Sequence, residues 1–232
     1  IRLKVMETPE FLALKRNRRE VKIPFVDMIT RYRREVLLGM GARYIDGVFF
    51  NVFAVFMIGY LTQHVSMSRT DALLGVMIAA CVMCFFIPLF GSLSDLYGRA
   101  RVYRWGSVIC GLSVFPVFWL IEIQPANTMM IWLSIVIAFG IFYAMVYGPE
   151  AALFSELFDP SVRYTGISFV YQFSGIFASG LTPIIATAVW RANGGKPWMI
   201  CAYVLFSALV SAWSARAIER RGLRVDAMAH AQ

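Results

Sequence analysis

Six long apolar runs, joined by short polar connections, constrain this chain more than any other feature. They span residues 36–62, 72–93, 104–121, 128–153, 165–190 and 197–215. Each approaches the ~20 residues that a helix needs to cross a bilayer, and the longer ones are accommodated by tilt. The connections are too short to hold a folded soluble domain. The sequence therefore predicts an all-α membrane protein with six transmembrane helices. Composition agrees: 59% of residues are hydrophobic and only 16% are charged, where a soluble domain has about 45–50% and about 25%. The net charge of +8 does not point to nucleic acid. The basic residues gather in short segments beside the apolar runs, the pattern that sets membrane orientation.

Three regions follow. Residues 1–35 are polar and basic, with Lys15, Arg16, Arg18, Arg19, Lys22, Arg31, Arg33 and Arg34. Thr8-Pro9-Glu10 suits a helix start and Ile23-Pro24 a break. Residues 25–32 suit an amphipathic helix on the membrane surface. Residues 36–215 form the bundle, and 216–232 a second basic segment with Arg216, Arg220, Arg221 and Arg224. Alternate connections hold the Arg99–Arg104 group and Arg163 on one side, but only Arg69, Arg191 and Lys196 on the other. With six spans, this asymmetry places both termini in the cytoplasm; a cell (inner) membrane is the expected location. The opening Ile-Arg-Leu-Lys-Val reads as the exit from an earlier helix, so a longer parent chain is expected. No cleavable signal peptide is evident in the basic, polar start.

Ionisable side chains inside apolar runs are costly, and they mark functional sites. Arg43 and Asp46 share one face of the first span at i and i+3. They suit either a substrate cavity, with Phe50, Asn51 and Phe53 deeper in, or a structural ion pair near the cytoplasmic entrance. Glu150 follows Tyr143, Tyr147, Gly148 and Pro149. Pro149 removes an amide donor and is expected to interrupt the fourth span, loosening the backbone beside a carboxylate. The stretch from Gly91 to Tyr103 is expected to form a tight, charged turn between the second and third spans. In it Asp95 suits a helix N-terminus and Gly98 a positive φ. Glu156 and Arg163 bracket a further turn, suited to pairing with Asp95 and Arg99 as a two-state latch. The alternative for both turns is a solvated connection. Gly175, Ala178, Ser179 and Gly180 suit close helix crossing. Cys81, Cys84, Cys110 and Cys201 lie in apolar runs and suggest packing, with no metal site. His64, at a span end, and His230, in the polar tail, suggest no role. No paired nucleophile and base, cofactor loop or metal spacing points to an enzyme.

Gly91-x-x-x-Asp95-x-x-Gly98-Arg99 resembles the inter-helix signature of the major facilitator superfamily. Ala100 stands where a second basic residue is usual, and Arg101 restores the charge. The stretches from Gly148 to Phe158 and from Val162 to Gly166, then Tyr171-Gln172 and Leu181-Thr-Pro183, are similar to its metabolite:proton symporter family. Met6-Glu-Thr-Pro9 resembles the segment after the sixth helix there. The resemblance implies the C-terminal half of a twelve-helix transporter, folded as a three-plus-three inverted repeat, with an N-terminal six-helix half missing. It implies proton-coupled symport of a small carboxylate-bearing or zwitterionic metabolite by alternating access. Arg43 would orient the anion, and Tyr44, Asn51, Tyr147, Tyr171 and Gln172 would line the path. Asp46 or Glu150 would exchange the proton. Gly91, Asp95, Gly98, Arg99, Arg101, Glu156 and Arg163 would form the cytoplasmic gate. Family members commonly carry Gln in place of Glu150. The alternative is a non-transporting membrane protein or an inactive fragment of a split transporter.

Overall fold

The computed structural model describes residues 30–160 and 162–229. The expected helix start at Thr8, the break at Ile23-Pro24, most of the 25–32 amphipathic stretch and His230 lie outside the described residues. Every regular element among the described residues is helical. Six helices are long and apolar enough to cross a membrane: α1 (Arg33–Gln63), α2 (Arg69–Tyr97), α3 (Arg99–Ile123), α4 (Thr128–Leu157), α5 (Arg163–Ala192) and α6 (Trp198–Arg221). The last helix continues to Ala229. Most extend beyond the apolar runs, because the membrane with its headgroups is about 40–45 Å thick and its apolar core only about 30 Å. Charged residues mark the exit from lipid, not the end of the helix.

That distinction corrects the expected turn at 91–103. α2 runs unbroken through Gly91 and Asp95 to Tyr97, and α3 opens at Arg99. The reversal is made at Gly98, with φ 95° and ψ 123°. No atom lies within 4 Å of where a Cβ would stand there, so the backbone angle, not crowding, demands glycine. Asp95 does not cap α3 and accepts from Arg99 instead.

α4 is likewise not interrupted at Gly148-Pro149-Glu150, which sit inside an α-helical stretch, Ala144–Leu157. Packing on two sides holds the helix through the proline. A Cβ at Gly148 would stand 2.9 Å from the Ile87 carbonyl of α2, and one at Gly106 of α3 would stand 3.0 Å from the Met145 carbonyl. Met145 is the residue whose carbonyl Pro149 leaves without its usual donor. The irregular turns lie elsewhere, as π-helical segments at Val52–Phe56 in α1, Val136–Phe142 in α4 and Ile176–Gly180 in α5. Such wide turns often accompany functional sites.

The core joins α1, α3, α4 and α6, with α6 packed along α3 and α1, and α3 along α4. α1 crosses α5 closely. At that crossing Gly47 faces Ala178 and Ser179, and an added Cβ would come within 2.7 Å of both. The small residues that matter in α5 are these two; Gly175 has no neighbour at that range. α2 and α5 are the least covered: only 11% and 22% of their apolar windows are buried, against half or more in the other four. Cys81 and Cys84 are exposed, Cys110 and Cys201 buried, and all four are free thiols.

Candidate functional site

The site begins at a local break in α1. Arg43 lies between the α-helical stretches Arg33–Ala42 and Tyr44–Asn51. Backbone groups freed at such a break need partners inside a membrane protein. Neighbouring helices supply them. The Tyr103 hydroxyl of α3 donates to the Ala42 carbonyl at 2.8 Å. Ser211 of α6 accepts from the Ile45 amide and donates to the Gly41 carbonyl, both at 2.9 Å. The backbone that carries Arg43 is thus fixed from two sides.

From there Arg43 reaches four other groups. Its Nη2 lies 3.3 Å from Asp46 Oδ2 and its Nε lies 3.4 Å from Glu150 Oε1. Its Nη1 donates to Ser174 Oγ at 3.4 Å. The guanidinium sits 4.1 Å above the Tyr171 ring, a cation–π distance. The Arg43 side chain is 14% accessible, Asp46 6% and Glu150 2%, so all three are largely withdrawn from the surface and Glu150 most of all. Asp46 also accepts from the Tyr143 hydroxyl at 2.5 Å. Neither Glu150 oxygen accepts a well-formed hydrogen bond, although Tyr171 and Asp46 are within interaction range. A buried carboxyl with unused acceptors is costly in any fold that does not employ it.

An aromatic column backs the cluster. Phe49 stacks on Phe53 at 4.5 Å and on Tyr143 at 5.5 Å; Phe139 stacks on Phe53 at 5.9 Å and on Tyr143 at 5.3 Å. The π-helical turns of α1 and α4 carry Phe53 and Phe139. The column locks the Tyr143 ring, and so the hydroxyl on Asp46.

Four expected path residues therefore converge: Arg43, Asp46, Glu150 and Tyr171. The structure does not bring the other four into the ion cluster. Tyr44 pairs with the Tyr203 hydroxyl at 3.3 Å, which is itself 3.1 Å from Thr182 Oγ1. Asn51 turns back onto the Gly47 carbonyl at 2.8 Å. Tyr147 is half exposed, with its ring 6.0 Å from that of Tyr143. Gln172 is exposed. The sequence reading missed Tyr143 and Ser174 as members, and Tyr103 and Ser211 as supports. Tyr143 had a signal, since it precedes Glu150 by two helical turns on one face. The others come from distant helices and had none.

At the end of the bundle where α2 meets α3, Arg99 binds Asp95 Oδ1 at 3.0 Å and also pairs with Glu156 of α4. Arg101 and Arg104 share Glu219 of α6, at 3.1 and 2.7 Å. Tyr32 donates to Asp159 at 2.5 Å, and Arg221 pairs with Glu35. Arg163 opens α5, partly buried. Gly91 faces Gly148 across the α2–α4 contact. At the opposite end His64 is not idle: its Nε2 lies 3.0 Å from Glu122 Oε1, which also accepts from Tyr60. Trp190 stands edge-on to both rings.

Residues 40–228 match the family model of the Major Facilitator Superfamily. Among curated proteins the chain is similar to the shikimate transporter of Escherichia coli, with 30% identity over 84% of the chain and 44% of the relative. It is similar to the citrate-proton symporter of Klebsiella pneumoniae, with 26% identity over 84% and 43%. It is also similar to the proline/betaine transporter of Escherichia coli, with 25% identity over 82% and 37%. The chain spans less than half the length of these relatives. No solved structure matches. These relatives are transporters, not enzymes, and their names fit the metabolite:proton symporters that the motifs resemble. A match over most of the chain, on six apolar helices joined by the Asp95–Gly98–Arg99 reversal, makes this multi-pass membrane protein a member of the Major Facilitator Superfamily.

Proposed function

We propose that the chain is the C-terminal six-helix half of a secondary active transporter that moves a small carboxylate-bearing or zwitterionic metabolite together with a proton. The observation that carries this reading is the charge count of the buried cluster. One guanidinium faces two carboxyls, Asp46 and Glu150. With all three ionised the cluster holds one excess negative charge; with one proton on either carboxyl it is balanced. A substrate carboxylate that takes Arg43 leaves a buried carboxyl without its counter-charge, and that carboxyl is neutralised by binding a proton. Substrate and proton then occupy the site together. The bidentate fork of arginine suits a carboxylate better than a lysine would. Tyr44, Asn51, Tyr147 and Gln172 line the path from the open side.

The pairs Asp95–Arg99–Glu156 and Arg101–Glu219 act as the cytoplasmic gate, with Arg163 beside them and Gly91 and Gly98 allowing the helices to approach and reverse. They break when the inward face opens. Both termini lie in the cytoplasm, following the basic residues. The apolar faces that α2 and α5 leave uncovered fit an N-terminal six-helix half, with the substrate site completed between the halves.

The test is uptake of labelled organic acids into proteoliposomes holding both halves, with and without an imposed pH gradient. Accumulation driven by the gradient is expected. Flux indifferent to the gradient would reject symport. The Arg43→Lys variant is expected to bind substrate at least tenfold more weakly, because charge stays and the fork is lost.

A further inference from the structure

A second polar site lies away from the ion cluster, between the first turn of α1 and the last turns of α6. It is a cavity of about 220 Å³ lined by Arg34, Trp213, Arg216, Ala217, Arg220 and Arg221. The α6 members fall at spacings of three and four residues, so they share one helical face. Arg34 of α1 closes the other wall. Arg221 is held by Glu35; among the described residues Arg34, Arg216 and Arg220 make no ion pair with a carboxylate. Four guanidiniums around one small cavity repel one another, and Arg216 and Arg220 do so at i and i+4. Such an arrangement is relieved by an anion.

The anion's chemistry follows from the lining. Planar arginine forks bind phosphate oxygens in bidentate pairs. The cavity is below the ~300–1,000 Å³ of a drug-sized pocket, and suits a headgroup rather than a whole metabolite. Its level in the membrane also follows. Trp213 is 68% exposed, and tryptophan concentrates at the membrane interface. The arginines lie one to two turns beyond it, at headgroup depth. Basic pockets between membrane helices at this level recognise anionic lipid headgroups. We propose that this cavity is a binding site for the phosphate of an anionic phospholipid. It joins α6 to α1 through the ligand, next to the Arg101–Glu219 contact that joins α6 to α3, so its occupant braces the gate end of the bundle.

The purified chain in detergent micelles is titrated with phosphatidylglycerol, with phosphatidylcholine and with inorganic phosphate, and its unfolding midpoint is followed. Phosphatidylglycerol is expected to raise the midpoint saturably, and phosphatidylcholine to leave it unchanged. The Arg216→Gln/Arg220→Gln variant is expected to bind phosphatidylglycerol roughly tenfold more weakly. Arg34→Gln, on a different helix and at an exposed position, is expected to weaken it several-fold and decides the matter should the double variant not fold. Arg191→Gln, at the far end of the bundle, is expected to behave as the unaltered chain. Displacement of the lipid by millimolar phosphate assigns the site to phosphate from either source; resistance to displacement assigns it to the lipid. Equal binding of both lipids, or undiminished phosphatidylglycerol binding by the arginine variants, would overturn the proposal.

Discussion

Arg43 is the hinge of the electrostatics because it is one cation serving two acids. Replacing Glu150 with Gln removes an acid while keeping shape. The remaining Arg43–Asp46 pair is balanced without a proton, and a substrate carboxylate that takes Arg43 still leaves Asp46 to be neutralised by one. Substrate binding and gradient-driven uptake are therefore expected to persist in Glu150→Gln, while Asp46→Asn/Glu150→Gln, with neither acid, is expected to make uptake indifferent to the pH gradient. Transport measured at equal and unequal pH checks this, and retained gradient dependence in the double variant would move the coupling role elsewhere. Tyr143→Phe keeps the aromatic column and deletes the hydroxyl on Asp46. Its expected cost is about 1.5–3 kcal/mol of stability, the worth of a hydrogen bond to a charged acceptor, read as a lowered unfolding midpoint. At this scale the sequence showed which ionisable residues were out of place. Arg43, Asp46 and Glu150 are anomalous in apolar runs whatever the fold. It did not show that they meet, because Arg43 and Glu150 come from helices more than one hundred residues apart. Tyr44 and Gln172 illustrate the converse: polar residues in a span look alike in sequence whichever way they face.

Helices were legible as elements, since apolar runs report lipid contact directly, but their ends and irregularities were not. Charge at 91–103 reads as loop although it belongs to helix, and Pro149 reads as a break although α4 stays helical there, packed against α2 and α3. The π-helical turns have no sequence signal comparable to a proline. Two elements carry sharp predictions. Gly98→Ala places a Cβ at φ 95°, and is expected to destabilise the chain by about 1–2 kcal/mol. Gly47→Leu drives a side chain into Ala178 and Ser179. It is expected to cost about 1–3 kcal/mol by overpacking and to weaken substrate binding, because it moves α1 one turn from Arg43. Thermal unfolding in detergent, with a parallel binding titration, separates the two effects.

As a whole, the molecule is lopsided. Four helices bury half or more of their apolar windows, while α2 and α5 bury far less, so these two carry the apolar surface that the proposed second half would cover. Composition alone gave the membrane setting; the uneven coverage is a property of packing and is not visible in any single run. The balanced trio has an electrical consequence. When one proton accompanies each substrate, a monoanion crosses with no net charge and its uptake ignores the membrane voltage. A zwitterion crosses with one positive charge and gains about 2.3 kcal/mol per 100 mV of interior-negative potential. Imposing a potassium diffusion potential on loaded vesicles therefore sorts substrates by their own ionisation: zwitterionic solutes accelerate, monocarboxylic acids hold steady, and the count of acids around a single arginine is read out as a current.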